Sequence, residues 1–101
     1  MIEIRETDTY KQWFALLKDK RAKARIDVRI KRVSLGNFGD VEPVGVGVSE
    51  LKIDYGPGYR VYILKQGNVI VILLCGGDKS TQATDIQRAH QLAKMLKEKE
   101  K

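Results

Sequence analysis

The stretch ELKIDYGPGYRVYILKQGNVIVILLCGGDK, residues 50–79, decides the fold. Ser49 to Asp54 alternates in character, Tyr59 to Leu64 is a second extended run, and Val69 to Cys75 is apolar throughout. Between them, Tyr55-Gly56-Pro57-Gly58 and Gln66-Gly67-Asn68 supply turn chemistry, because Gly reaches positive φ and Pro fixes its own. Three strands joined by turns this short pair antiparallel, as a meander. The third run, with no polar side to its alternation, belongs inside the sheet with both faces covered. Gly76-Gly77-Asp78-Lys79 breaks that strand. A helix opened by Ser80 or Thr81 follows, with Ile86, Ala89, Ala93 and Leu96 as its apolar stripe.

Upstream, LGNFGDVEPVGVGVSE (residues 35–50) holds four Gly and a Pro and reads as an ordered loop delivering the chain to the sheet. Before it lie two helices. Tyr10, Trp13, Phe14 and Leu17 fall at i, i+3, i+4 and i+7 after the capping run Thr7-Asp8-Thr9, and their stripe is core. After Asp19 the period resumes with Ala22, Ile26, Ile30 and Val33, so the two helices form a hairpin. Ile2 and Ile4 alternate in a short strand at the start. The expected order is β-α-α-β-β-β-α, an α+β fold whose mostly antiparallel sheet packs on a helical hairpin and a C-terminal helix.

The chain has 101 residues, 43% hydrophobic and 32% charged. A chain of that length buries about 65% of its unfolded surface, enough for one core, so residues 1–101 are expected to be a single domain. A multi-domain enzyme with a separate cofactor domain is excluded. The longest apolar run falls well short of the roughly 20 residues a membrane helix needs, and the start MIEIRETD is no signal peptide. The single cysteine, Cys75, has no disulfide partner and sits on an apolar strand, as a small buried hydrophobe. A reducing, cytoplasmic location is expected, without a membrane.

Nineteen Lys and Arg against 13 Asp and Glu give a net charge of +6, and the excess is local. KDKRAKARIDVRIKR, residues 18–32, carries eight cations and two carboxylates. A patch this dense suits a polyanion such as RNA, or an acidic protein segment, and it also describes a solvated helix face. Lys20, Arg21, Lys23, Arg25, Arg29, Lys31 and Arg32 are its candidate RNA-binding residues.

On the meander, Glu50, Lys52 and Asp54 share one sheet face by the two-residue period, with Arg60 and Tyr62 across the hairpin. That pattern fits a catalytic grouping of Lys52, Arg60 and Tyr62, and equally an exposed face of cross-strand ion pairs. His90, the only histidine, lies on the inner flank of the last helix, where a packing role is expected. Gly76-Gly77 is too short for a nucleotide fingerprint. The carboxylates are scattered and no His cluster exists, so no metal and no cofactor is expected.

The runs ELKIDYGPGYRVYI, LGNFGDVEPVG, VIVILLCGGDKSTQ and DIQRAHQLAKML resemble the RelE/ParE toxin superfamily, in particular its HigB-like, phage-derived "addiction module killer" branch. The likeness spans the chain from Tyr10-Lys11-Gln12-Trp13 to Leu96, with GPGYRVY and LLCGGDKSTQ its most specific motifs. It implies a RelE/ParE-like fold and the toxin of a type II toxin–antitoxin pair. The partner is then an antitoxin with a helix-turn-helix domain, which alone supplies contacts to promoter DNA. RelE-like and HigB-like members are metal-independent endoribonucleases that cut mRNA on the ribosome.

The family's Arg of the Tyr-Arg strand falls on Arg60, its cation on the preceding strand on Lys52, and the one after the last strand on Lys79. An attacking 2′-hydroxyl needs a base, and the phosphorane needs cations. Arg60 suits the phosphate because its fork holds two oxygens at once, and Lys52 and Lys79 can share that role. RelE-like members also place a Tyr near the scissile phosphate from the segment after the last strand, but Lys79 to Asp85 contains none. The base or acid is then sought among Asp85, Glu50, Tyr59 and Tyr62. Two other readings share the resemblance: a ParE-like toxin that poisons DNA gyrase by binding, and an inactive partner of an autorepressing antitoxin.

Overall fold

The structure, a computed structural model, describes residues 1–99. Its elements are β1 (Glu3–Glu6), α1 (Asp8–Leu16), α2 (Lys20–Ser34), β2 (Val41–Gly45), β3 (Val48–Ile53), β4 (Tyr59–Gln66), β5 (Ile70–Gly77), a 3-10 turn (Lys79–Thr81) and α3 (Gln82–Lys99). The fold is α+β, and one mixed sheet runs in the order β1-β5-β4-β3-β2.

The helical hairpin forms where its caps predict. Thr7 accepts the amide of Tyr10 at 3.0 Å, and its own hydroxyl donates to the Leu74 carbonyl at 2.6 Å, so the α1 cap is also pinned to β5. Asp19 caps α2 through the amides of Arg21 and Ala22 and accepts the Tyr55 hydroxyl at 3.0 Å. The Ala22 amide first, then the Tyr55 hydroxyl, hold its carboxyl below the usual value of 3.8. A carboxyl lowered by folding stabilises fully above its unfolded pKa and loses that contribution as pH falls through the folded one. Asp19→Asn keeps an acceptor at the cap and does not titrate. It is therefore expected to flatten the acid side of a thermal-unfolding profile, an outcome read by melting over a pH series below neutrality.

The meander forms as read, with β3–β4 and β4–β5 antiparallel. Two expectations are corrected. Residues 41–45, assigned to a loop, form β2, an edge strand antiparallel to β3 with Val41 opposite Leu51 and Pro43 opposite Ser49. Its Pro is tolerated because an edge strand has one side without a ladder partner. The sheet therefore has five strands, and the order carries four strands between α2 and α3. Gly76 and Gly77 also belong to β5 rather than ending it; Asp78 caps the following 3-10 turn, and α3 begins at Gln82, directly after Thr81. The remaining strand, β1, runs parallel to β5, with Ile4 opposite Val71.

Both sheet faces are covered, by different helices. Leu51, Ile53, Val61, Ile63, Val71 and Leu73 pack against Tyr10 of α1 and Ile26 and Val33 of α2. Val48, Tyr62, Leu64, Ile72, Leu74 and Cys75 pack against Ala89 and Ala93 of α3. The charged face expected on β3 is thus partly interior, and Glu50 lies beneath α3 at 1% exposure. Cys75 is buried, and burial followed by the nearby Asp85 pushes its thiol up to about 12. It is inert as a nucleophile.

The glycine pair explains how three layers meet. A Cβ on Gly76 lies 2.4 Å from the Trp13 ring, and one on Gly77 lies 1.8 Å from the Asp85 carboxylate. Successive strand residues face opposite sides, so one glycine admits an α1 aromatic and the next an α3 carboxylate. On the far edge α3 holds the β2–β3 turn, where His90 Nε2 donates to the Val44 carbonyl at 2.8 Å and Lys97 Nζ to the Val46 carbonyl at 2.8 Å. Val46 has φ of 58° there, a left-handed conformation unusual for a β-branched residue.

Candidate active site

Register brings two of the three expected cations together. Lys52 on β3 is directly opposite Arg60 on β4, and Arg60 is opposite Gly77 on β5. Lys52 and Arg60 line a cleft of about 220 Å³ with Asp40, Asp54, Gly58 and Tyr59. Lys79 arrives from the far side of the 55–58 turn. Its amide donates to the Pro57 carbonyl at 3.4 Å, and a Cβ built on Gly58 lies 3.4 Å from Arg60 Nη1 and 3.6 Å from Lys79 Cβ. Both cationic residues thus pack against Gly58.

Arg60 is held from below. Its side chain is 13% exposed, its Nη1 donates to the Gly58 carbonyl at 3.0 Å, and Glu50 Oε1 lies 3.4 Å from its Nε. Nε itself makes no hydrogen bond. The other Glu50 oxygen accepts Tyr62 Oη at 3.1 Å and Gln82 Nε2 at 2.9 Å. Glu50 is thus the hub of a buried network linking β3, β4 and α3, and it compensates the charge of Arg60. Gln82 is a member that sequence reasoning missed, since no local pattern marks a helix-start Gln as the partner of a strand Glu.

The base candidates divide by burial. Tyr62 is fully buried, and desolvation followed by the Glu50 charge drives its hydroxyl pKa upward. Glu50 is engaged as described. Asp85 is buried beside Gly77 and accepts the Thr81 hydroxyl at 2.5 Å. Only Tyr59 among the four lines the cleft, with its ring edge against Trp13. The cleft's other proton acceptors are Asp40 and Asp54, both exposed and both outside the expected set. Lys52 Nζ reaches Glu42 Oε1 at 3.1 Å, and that hydrogen bond raises its pKa.

The basic residues of α2 do not act as one surface. Arg25, Arg29 and Arg32 line a trough of about 400 Å³ between α2 and β3, together with Ala24, Val28, Lys52, Ile53 and Asp54. Arg25 places its guanidinium over the Tyr55 ring, 4.8 Å from the centroid. Arg29 donates to the Asp40 carbonyl at 2.9 Å, and desolvation lowers its pKa. Lys23 instead sits over Phe14 at 5.3 Å. Lys20, Arg21 and Lys31 are exposed and line neither concavity.

Among the described residues, no three His, Cys, Asp or Glu side chains gather as a metal site, and no helix is long and apolar enough to cross a membrane. No protein-family model matches the chain. An uncharacterized protein of Haemophilus influenzae strain Rd is 56% identical to it over 95 residues, which cover 94% of this chain and 96% of the relative. Identity at that level along nearly the full length of both means that the chain belongs to one family with this Haemophilus protein.

Proposed function

We propose that the chain is the toxin of a type II toxin–antitoxin pair, a metal-independent endoribonuclease that cuts mRNA on translating ribosomes in the cytoplasm. Its proposed protein partner is a helix-turn-helix antitoxin, through which alone it meets promoter DNA. The observation that carries the reading is the cleft in which Lys52 and Arg60, strand partners, face a common space with Lys79 across Gly58.

In this mechanism the RNA 2′-oxygen loses its proton and attacks the adjacent phosphorus. The P–O5′ bond breaks, and the products are a 2′,3′-cyclic phosphate and a 5′-hydroxyl end. Arg60 holds the non-bridging oxygens, with its Nε facing Glu50 and its Nη1 donating to the Gly58 carbonyl. Lys52 adds charge, and Lys79 is the proposed proton donor to the leaving oxygen. Tyr59, Asp40 or Asp54 takes the 2′ proton, since these line the cleft. Glu50, Tyr62 and Asp85 support the frame instead.

Induction of the chain in a bacterial host, followed by primer extension on an abundant translated mRNA, tests this. The expected result is codon-spaced cuts that vanish when translation initiation is blocked. Engagement of Arg60 by Glu50 also favours a second reading, a binding toxin directed at DNA gyrase, in which Arg60 shapes a surface. Intact mRNA beside arrested growth and cleaved DNA complexes would establish that reading. Intact mRNA beside normal growth would leave an inactive partner of the antitoxin.

A further inference from the structure

We infer that the trough between α2 and β3 is a track for the backbone of single-stranded RNA, extending the Arg60 cleft along Arg25 and Arg32. The inference rests on reading that cleft as an RNA site. The trough and the cleft share Lys52, Ile53 and Asp54, so they adjoin at the end of β3. Arg25, Arg29 and Arg32 are spaced about one helical turn apart, roughly 5 Å of rise, on the flank of α2 that looks toward β3. With Lys52 they set four cations against the one carboxylate of Asp54.

The two end arginines are the working ones. Arg29 is committed to the Asp40 carbonyl, whereas among the described residues no hydrogen bond or ion pair occupies Arg32 or Arg25, the latter lying over the Tyr55 ring. Val28, about half exposed, and Ile53 give the trough an apolar floor between the charges. Alternating guanidinium and apolar surface suits a phosphodiester chain whose sugars and bases lie between its phosphates. A concavity of about 400 Å³ has the volume of a small-ligand pocket. Lys31, on the same helix, is exposed and does not line the trough.

The test is fluorescence anisotropy of a labelled oligouridylate with the whole chain, off the ribosome, over a salt series. Arg25→Gln and Arg32→Gln are each expected to reduce the slope of log affinity against log salt by about 0.7, the value for one lost single-strand phosphate contact. Lys31→Gln, and Lys94→Gln on α3, are expected to leave the slope unchanged. Thermal unfolding of each variant verifies that the fold persists. An equal slope change for Lys31→Gln would overturn the track in favour of a diffuse positive field. Displacement of the RNA by polyglutamate at equal charge concentration, with the same dependence on Arg25 and Arg32, would overturn it in favour of an acidic protein partner. Absence of binding at low salt would also overturn it. Because the assay reads binding without cleavage, loss of the nuclease reading with the slopes intact leaves the track standing.

Discussion

Arg60→Ala is expected to lower the unfolding free energy by about 3–5 kcal/mol, the cost of leaving a buried charge without its partner. Glu50 is 1% exposed, and its compensating cation is the Arg60 guanidinium 3.4 Å away. Tyr62 and Gln82 donate to the other carboxylate oxygen and do not neutralise it. Urea unfolding of three variants separates the parts. Arg60→Ala and Glu50→Ala should both be strongly destabilised, while the double variant Glu50→Ala with Arg60→Ala should lose less than the sum of the two, since no unpaired charge remains. A full additive loss in the double variant would mean that the pair is not coupled. This bears on the proposed function, because loss of the proposed toxicity in Arg60→Ala would report unfolding as readily as lost chemistry. Arg60→Lys is the better probe. It keeps the charge beside Glu50 but loses the planar fork, so a folded yet inactive Arg60→Lys chain would place the guanidinium at the phosphate. Full toxicity in that variant would remove Arg60 from the chemistry.

Gly77→Ala is expected to be comparably severe. Its new Cβ lies 1.8 Å from Asp85 Oδ2, inside the carboxylate that also receives the Thr81 hydroxyl. Overpacking of a close-packed interior costs about 1–3 kcal/mol and sometimes more, and here the start of α3 must move as well. Adding Asp85→Ala to Gly77→Ala frees the space, so the double variant should recover stability relative to Gly77→Ala alone. A double-mutant cycle by chemical denaturation measures the coupling. Gly76→Ala is the matched control on the other face, where the new Cβ meets the Trp13 ring at 2.4 Å, and Asp85→Ala should not rescue it. Rescue of both glycines by Asp85→Ala would mean that the two contacts are not independent.

Local chemistry made much of this fold legible. Thr7 and Asp19 mark helix starts because a short side-chain oxygen satisfies amides that the helix leaves free. The 3.6-residue stripe from Tyr10 to Leu17 and the apolar run from Val69 report burial directly, and the turns at 55–58 and 66–68 fix the meander. Arg60 and Lys52 were readable as neighbours because a tight hairpin sets strand register. Strand β2 escaped because Gly, Pro and Glu are poor strand formers, and an edge strand is held by its neighbour's ladder rather than its own propensity.

The sequence alone determined the three helices, every strand but β2, the pairing of the meander strands and the local excess of positive charge, since each depends on contacts between residues close along the chain. Only the tertiary structure decided which charges are usable. Glu50 and Lys52 share a face by alternation, yet α3 covers one and leaves the other at a cleft. The cations of α2 are alike in composition, yet Arg29 is tied to the Asp40 carbonyl, Lys23 sits over an aromatic ring, and Arg32 faces the trough. Burial and partnership are set by whatever packs across from a residue, and that information is carried by residues distant in sequence.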